Sequence, residues 1–163
     1  MRIIEAFLAI LFITVFSLNE FESPIAPFLL PVSLAVLSCF YSYLGFAIFN
    51  GIRFRQIFIS VTYKNISVFN IVAGVVAGAA IGICLIGIVF ILQKWPGAEI
   101  YRSGGLAFSI LIPIVASIAI LVKRPVMAKM VLLRGIPLLA LFIYIYVTYP
   151  VAHDSILHEL FSK

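Results

Sequence analysis

The chain has 163 residues, of which 64% are hydrophobic and only 10% charged, with a mean hydropathy of +1.25. A water-soluble domain of that size needs more charge to cover its surface, so the expected fold class is all-α, a polytopic bundle of transmembrane helices. The net charge of +5 does not point to nucleic acid, because the bases fall in short segments between apolar runs and form no basic face.

A helix needs about 20 apolar residues to cross the hydrocarbon layer. Five segments meet that need, at about 3–18, 27–50, 67–92, 104–122 and 131–149, within one transmembrane domain covering 1–163. The first is short. It follows Arg2 like a signal peptide but is followed by no small-residue cleavage site, so it reads as a retained helix. Pro31 is tolerable in the opening turn of the second segment.

With the N-terminus inside, the cytosolic segments carry Arg2, Arg53, Arg55, Lys64, Lys123, Arg124, Lys129 and Arg134, against Lys94, Arg102 and Lys163 outside. Bases concentrate on the cytosolic side of membrane proteins, so the N-terminus is expected in the cytosol and the C-terminus outside. The acids Glu20, Glu22, Glu99, Asp154 and Glu159 then lie outside. The stretch from Ile52 to Asn65 mixes Arg53 and Arg55 with Phe54, Phe58 and Tyr63. Such a segment suits the headgroup layer, apolar side down, or a partner protein.

Several features inside the apolar runs could carry more than hydrophobicity. Gly74, Gly78 and Gly82 recur every four residues and clear one face of the third helix for close approach by another helix, of this chain or of a second copy. In the second helix Ser38, Tyr41, Ser42 and Gly45 form a polar and small stripe. Hydroxyls in hydrocarbon need partners, so this face should point inward, either for interhelical hydrogen bonds or along a solute path. Pro113 is expected to break the fourth helix near its middle and free the carbonyl of Ser109, whereas Pro137 lies close to the start of the fifth. Glu5 is the one acid within a span; in a first turn three residues after Arg2, it reads as an interfacial carboxylate rather than a proton carrier. No other ionisable residue is expected deep in a span.

His153, Asp154 and His158 match no metal-ligand spacing, Cys39 and Cys84 read as small core residues, and no catalytic motif is present. No catalytic residue, metal or cofactor is therefore expected. Lys94, Trp95, Pro96 and Gly97 form the turn between the third and fourth helices. Trp95 and Lys94 suit the membrane–water boundary, and Pro96-Gly97 suits a tight turn.

That turn carries a resemblance. The stretch Tyr63–Ser67, the glycine-rich helix and Leu92–Ala98 resemble a pattern in small membrane proteins of Bacteroidota. The membrane part of GldL, the gliding-motility and type IX secretion motor protein, is similar in its helix–turn–helix. The resemblance covers roughly residues 63–122 and implies a bacterial inner (cytoplasmic) membrane and a shared hairpin. Lys94 stands where those relatives often have His, and the fourth helix has no deep acid, so proton-driven motor activity is not implied. The expectation is a non-enzymatic inner-membrane protein, a subunit or scaffold that meets the lipid bilayer and other membrane subunits or itself, and no nucleic acid. A small oligomeric transporter or channel is the first alternative and a lipid-acting enzyme the second.

Overall fold

In the computed structural model, residues 2–21, 23–64, 66–121 and 125–149 are described. Five helices follow one another: α1 (Arg2–Glu20), α2 (Ala26–Phe49), α3 (Val68–Leu92), α4 (Ala98–Leu121) and α5 (Pro125–Thr148). All five are long and apolar enough to cross a membrane, which makes this a multi-pass membrane protein of the all-α class. The connector between α2 and α3 holds two short 3-10 turns, Phe54–Gln56 and Ser60–Tyr63.

Two expectations about the helices need correction. Pro113 does not break α4, which runs unbroken from Ala98 to Leu121. Proline removes one backbone donor, and the hydroxyl of Ser117 donates to the Pro113 carbonyl at 2.7 Å in the same stretch. The fourth and fifth helices each start six residues earlier than expected, at Ala98 and Pro125, so Pro137 lies in the middle of α5 rather than near its start.

The glycine stripe of α3 is occupied by α2. A β-carbon on Gly78 would run into the carbonyl of Tyr41, and one on Gly45 would stand 2.6 Å from the Gly78 α-carbon. A β-carbon on Gly74 would lie 2.9 Å from the Phe46 α-carbon, and one on Gly82 would strike the hydroxyl of Ser42. Without side chains between them the two backbones touch, and dispersion acts along several turns. The hydroxyl of Ser38 donates to the Gly82 carbonyl at 2.9 Å. At the other end of the contact Asn50 donates from Nδ2 to the carbonyls of Phe46 and Asn70, at 2.7 and 3.1 Å.

α4 and α5 interlock by the same device in reciprocal form. Gly105 of α4 faces the ring of the fully buried Phe142, and Gly135 of α5 faces Ile112. Arg102 adds a polar tie, donating from Nη2 to the Tyr146 carbonyl at 2.9 Å with its guanidinium 4.0 Å from the centre of the Tyr146 ring. α1 is the outlier, because among its described residues only Phe12 and Val15 are buried. Its far end is tied to α5 by the Tyr149 hydroxyl, which donates to Glu20 Oε1 at 2.6 Å. Partial burial, and then that carboxylate, push the Tyr149 hydroxyl up to about 12.

Both ends of the central pair close by the same hydrogen-bond scheme. After α2, Gly51 is left-handed (φ +71°), its N–H donates to the Ile48 carbonyl, and that of Ile52 donates to the Ala47 carbonyl at 2.8 Å. After α3 the left-handed residue is Lys94 (φ +53°), with the Trp95 N–H donating to the Phe90 carbonyl at 3.0 Å and the two rings packed edge to face at 5.3 Å. This is a Schellman termination with its usual hydrophobic contact. Gly97 (φ +87°) then turns the chain into α4.

Replacing Gly78 by Ala should lower stability by about 2 kcal/mol, because backbone cannot move aside. Gly104→Ala, where a β-carbon meets open space, serves as the neutral comparison in the same detergent unfolding titration. Lys94→Gly should raise stability by about 1 kcal/mol by relieving the left-handed conformation. A glycine there that lowers the unfolding midpoint would contradict the termination described.

Candidate functional site: an ion pair between two cavities

The polar centre of the molecule joins α1, α2 and α5. Arg134 donates from Nε to Glu5 Oε1 and from Nη2 to Glu5 Oε2, the second at 2.6 Å, so the guanidinium grips the carboxylate with two parallel bonds. The Tyr41 hydroxyl donates to Glu5 Oε1, also at 2.6 Å. Arg134 further donates from Nη1 to the Met130 carbonyl at 2.9 Å, and its guanidinium lies 5.6 Å from the centre of the Phe49 ring. The side chains of Glu5 and Arg134 are only 13% and 12% exposed.

The depth of this cluster follows from helix geometry. Tyr41 stands eight residues before the end of α2 and Arg134 nine residues after the start of α5. At 1.5 Å per residue these positions lie about 12 and about 13 Å inside the ends of their helices. Glu5 belongs to the first turn of α1, so the start of α1 is set roughly one and a half turns further in than the neighbouring helix ends. The described cation of Glu5 is Arg134, a residue expected in a cytosolic segment.

Because α1 begins deep, space is left beyond its end and along its side. One cavity of about 760 Å³ lies between Glu5 and Arg134 and the connector, where Arg53, Arg55 and Gln56 form its wall. A second of about 690 Å³ extends along α1, α2 and α5 past Ala6, Ala9, Phe12, Leu37 and Leu138. Glu5 and Arg134 line both. Tyr41 and Pro137 line the apolar one.

The expected polar stripe on α2 is thus divided between two neighbours. Ser38, Ser42 and Gly45 serve the contact with α3, whereas Tyr41 directs its hydroxyl to Glu5. Lys94, Trp95 and Gly97 lie exposed at the opposite end of the bundle, remote from the ion pair. His153, Asp154 and His158 lie outside the described residues. Arg134 was hidden by its position: four residues into an apolar run expected to begin at 131, it looked like a flanking base. The signal that could have found it is the need of Glu5 for a counter-ion within hydrocarbon.

No protein-family model, curated protein or solved structure matches this chain.

Breaking a desolvated pair strands its other half, so Glu5→Gln should lower stability by about 3 kcal/mol, and Arg134→Gln by a similar amount. The double variant should recover part of the loss, since neither charge is then left alone. Equilibrium unfolding of the four proteins in one detergent measures the coupling, and additive losses would mean that the two groups do not interact.

Proposed function

We propose that this is a non-catalytic protein of a bacterial inner membrane, with its N-terminus in the cytosol, acting as a subunit or scaffold of a larger membrane assembly. Orientation is supported by the distribution of bases, which keeps its sense after Arg134 is moved from the cytosolic set into α5. The bacterial assignment rests on the resemblance of the Leu92–Ala98 turn and its flanks to small Bacteroidota membrane proteins.

The observation that carries the subunit reading is the connector between α2 and α3. Phe58 is 89% exposed and Val61 64% exposed, beside exposed Arg53, Arg55 and Lys64. The segment is nevertheless shaped: two 3-10 turns fold it, and the Tyr63 hydroxyl donates to the Ile57 carbonyl at 2.6 Å. An ordered apolar and basic projection suits contact with another subunit at the membrane surface, because little conformational entropy is left to lose on binding. The glycine face of α3, by contrast, is already taken by α2.

A second reading, a small oligomeric transporter, is favoured by one observation: the Glu5–Arg134 pair stands between two cavities, one walled in part by arginines and the other almost wholly apolar. On that reading Tyr41, Glu5 and Arg134 replace the serines of α2 as the solute-facing groups. Among the described residues, no arrangement of side chains favours a lipid-acting enzyme.

The readings separate in two experiments. Purification in mild detergent should recover a stoichiometric partner that is lost with Phe58→Glu and Val61→Glu while the chain itself stays folded. A chain that purifies alone from native membranes would overturn the subunit reading. Solute flux in proteoliposomes holding only this chain, abolished by Tyr41→Phe, would establish the transporter instead.

A further inference from the structure

We propose that the two cavities together hold one anionic phospholipid, its phosphate against Arg53, Arg55 and Arg134 and one acyl chain in the apolar cavity along α1. This goes beyond the subunit reading and depends neither on it nor on which side of the membrane the connector faces.

Order is the first argument. Moving inward from the connector, the first cavity presents arginines beside Ile48, Ile52 and Phe54, and the second, past the ion pair, presents Ala6, Ala9, Phe12 and Leu37. A lipid lying in its own leaflet has the same sequence of chemistry, headgroup outermost and hydrocarbon within. Each volume also falls in the range of about 300–1,000 Å³ found for sites that hold small molecules.

Charge is the second. The outer cavity is lined by three arginines and one carboxylate, an excess of positive charge that selects an anion. A guanidinium offers paired donors matched to the oxygens of a phosphate. Arg53 and Arg55 are exposed at the cavity wall, and Arg134 reaches it from α5. Glu5 holds Arg134 by the same paired geometry a phosphate would use, and Tyr41 donates to the same carboxylate. Glu5 is thus an internal competitor: a bound phosphate shares or takes over Arg134, and the carboxylate sets how tightly the lipid is held.

Access is the third. α1 buries little of its length, and the alanines at 6 and 9 keep its inner side from filling the space beside α2 and α5. A chain can therefore enter sideways from the bilayer, without passage through water.

The test uses the full chain in detergent, exchanged against equal amounts of phosphatidylglycerol and phosphatidylcholine and examined by native mass spectrometry. One phosphatidylglycerol should be retained per chain, in preference to phosphatidylcholine by about tenfold. The variant carrying Arg53→Gln and Arg55→Gln should lose most of that preference with its melting temperature in lipid-free detergent unchanged, because both side chains are exposed. Ala9→Trp should exclude the acyl chain and abolish retention of either lipid. Glu5→Gln should raise phosphatidylglycerol retention several-fold if it folds; the arginine and alanine variants decide the question if it does not. Equal retention of the two lipids, an arginine double variant that binds like the parent, or displacement of the lipid by glycerol phosphate at matched concentration would each overturn the proposal.

Discussion

The close contact of α2 with α3 is the constraint on which the rest of the bundle depends. In hydrocarbon there is little hydrophobic gain from pairing two apolar helices, so association rests on packing distance and on hydrogen bonds. Gly45, Gly74, Gly78 and Gly82 bring the two backbones into contact, and Ser38 and Asn50 place hydrogen bonds along and at one end of the seam. Once that pair is rigid, α4 is set by the turn through Trp95 and Gly97, and α5 is set by α4 through the glycine and ring exchanges at Gly105 and Gly135. α1 alone lacks such a fit. Phe12 and Val15 seat its middle in the core, and ties fix its two ends, to Arg134 and Tyr41 at one and to Tyr149 at the other.

Most of this architecture was legible in the sequence, for reasons that particular residues make clear. The apolar runs of α2 and α3 match their helices to within a residue at each end, because Pro27 and Ser67 mark the starts and Gly51 and the Trp95 turn mark the stops. The glycine spacing in α3 announced a close neighbour but not which one, since small residues say how near a helix can come and not what comes. The start of α5 was misjudged because Lys129 and Arg134 look like flanking charges, yet a helix continues through charge wherever its side chains find partners. The continuity of α4 through Pro113 was likewise not readable, because its neighbours decide whether a proline interrupts a membrane helix.

The candidate site was the least legible part. Glu5 was visible as an acid in an apolar segment, but its environment depends on how deep α1 sits relative to α2 and α5. That offset comes from packing and from the pull of Arg134. Tyr41 makes the interhelical hydrogen bond that its stripe calls for, but the spacing does not say to which neighbour: its backbone carbonyl faces the glycine seam while its hydroxyl faces α1. Helical spacing sorts side chains into faces, but a long side chain at the edge of a face can serve the neighbour on the other side.

The ion pair also has a consequence for assembly. Glu5 and Arg134 are separated by 129 positions in the chain, and helices enter the membrane in the order in which they are made. Until α5 is made, the carboxylate of Glu5 lacks the arginine that it grips in the folded protein. The bond that fixes the start of α1 therefore closes a loop spanning most of the chain and needs α5, whereas the packing of α1 through Phe12 and Val15 does not.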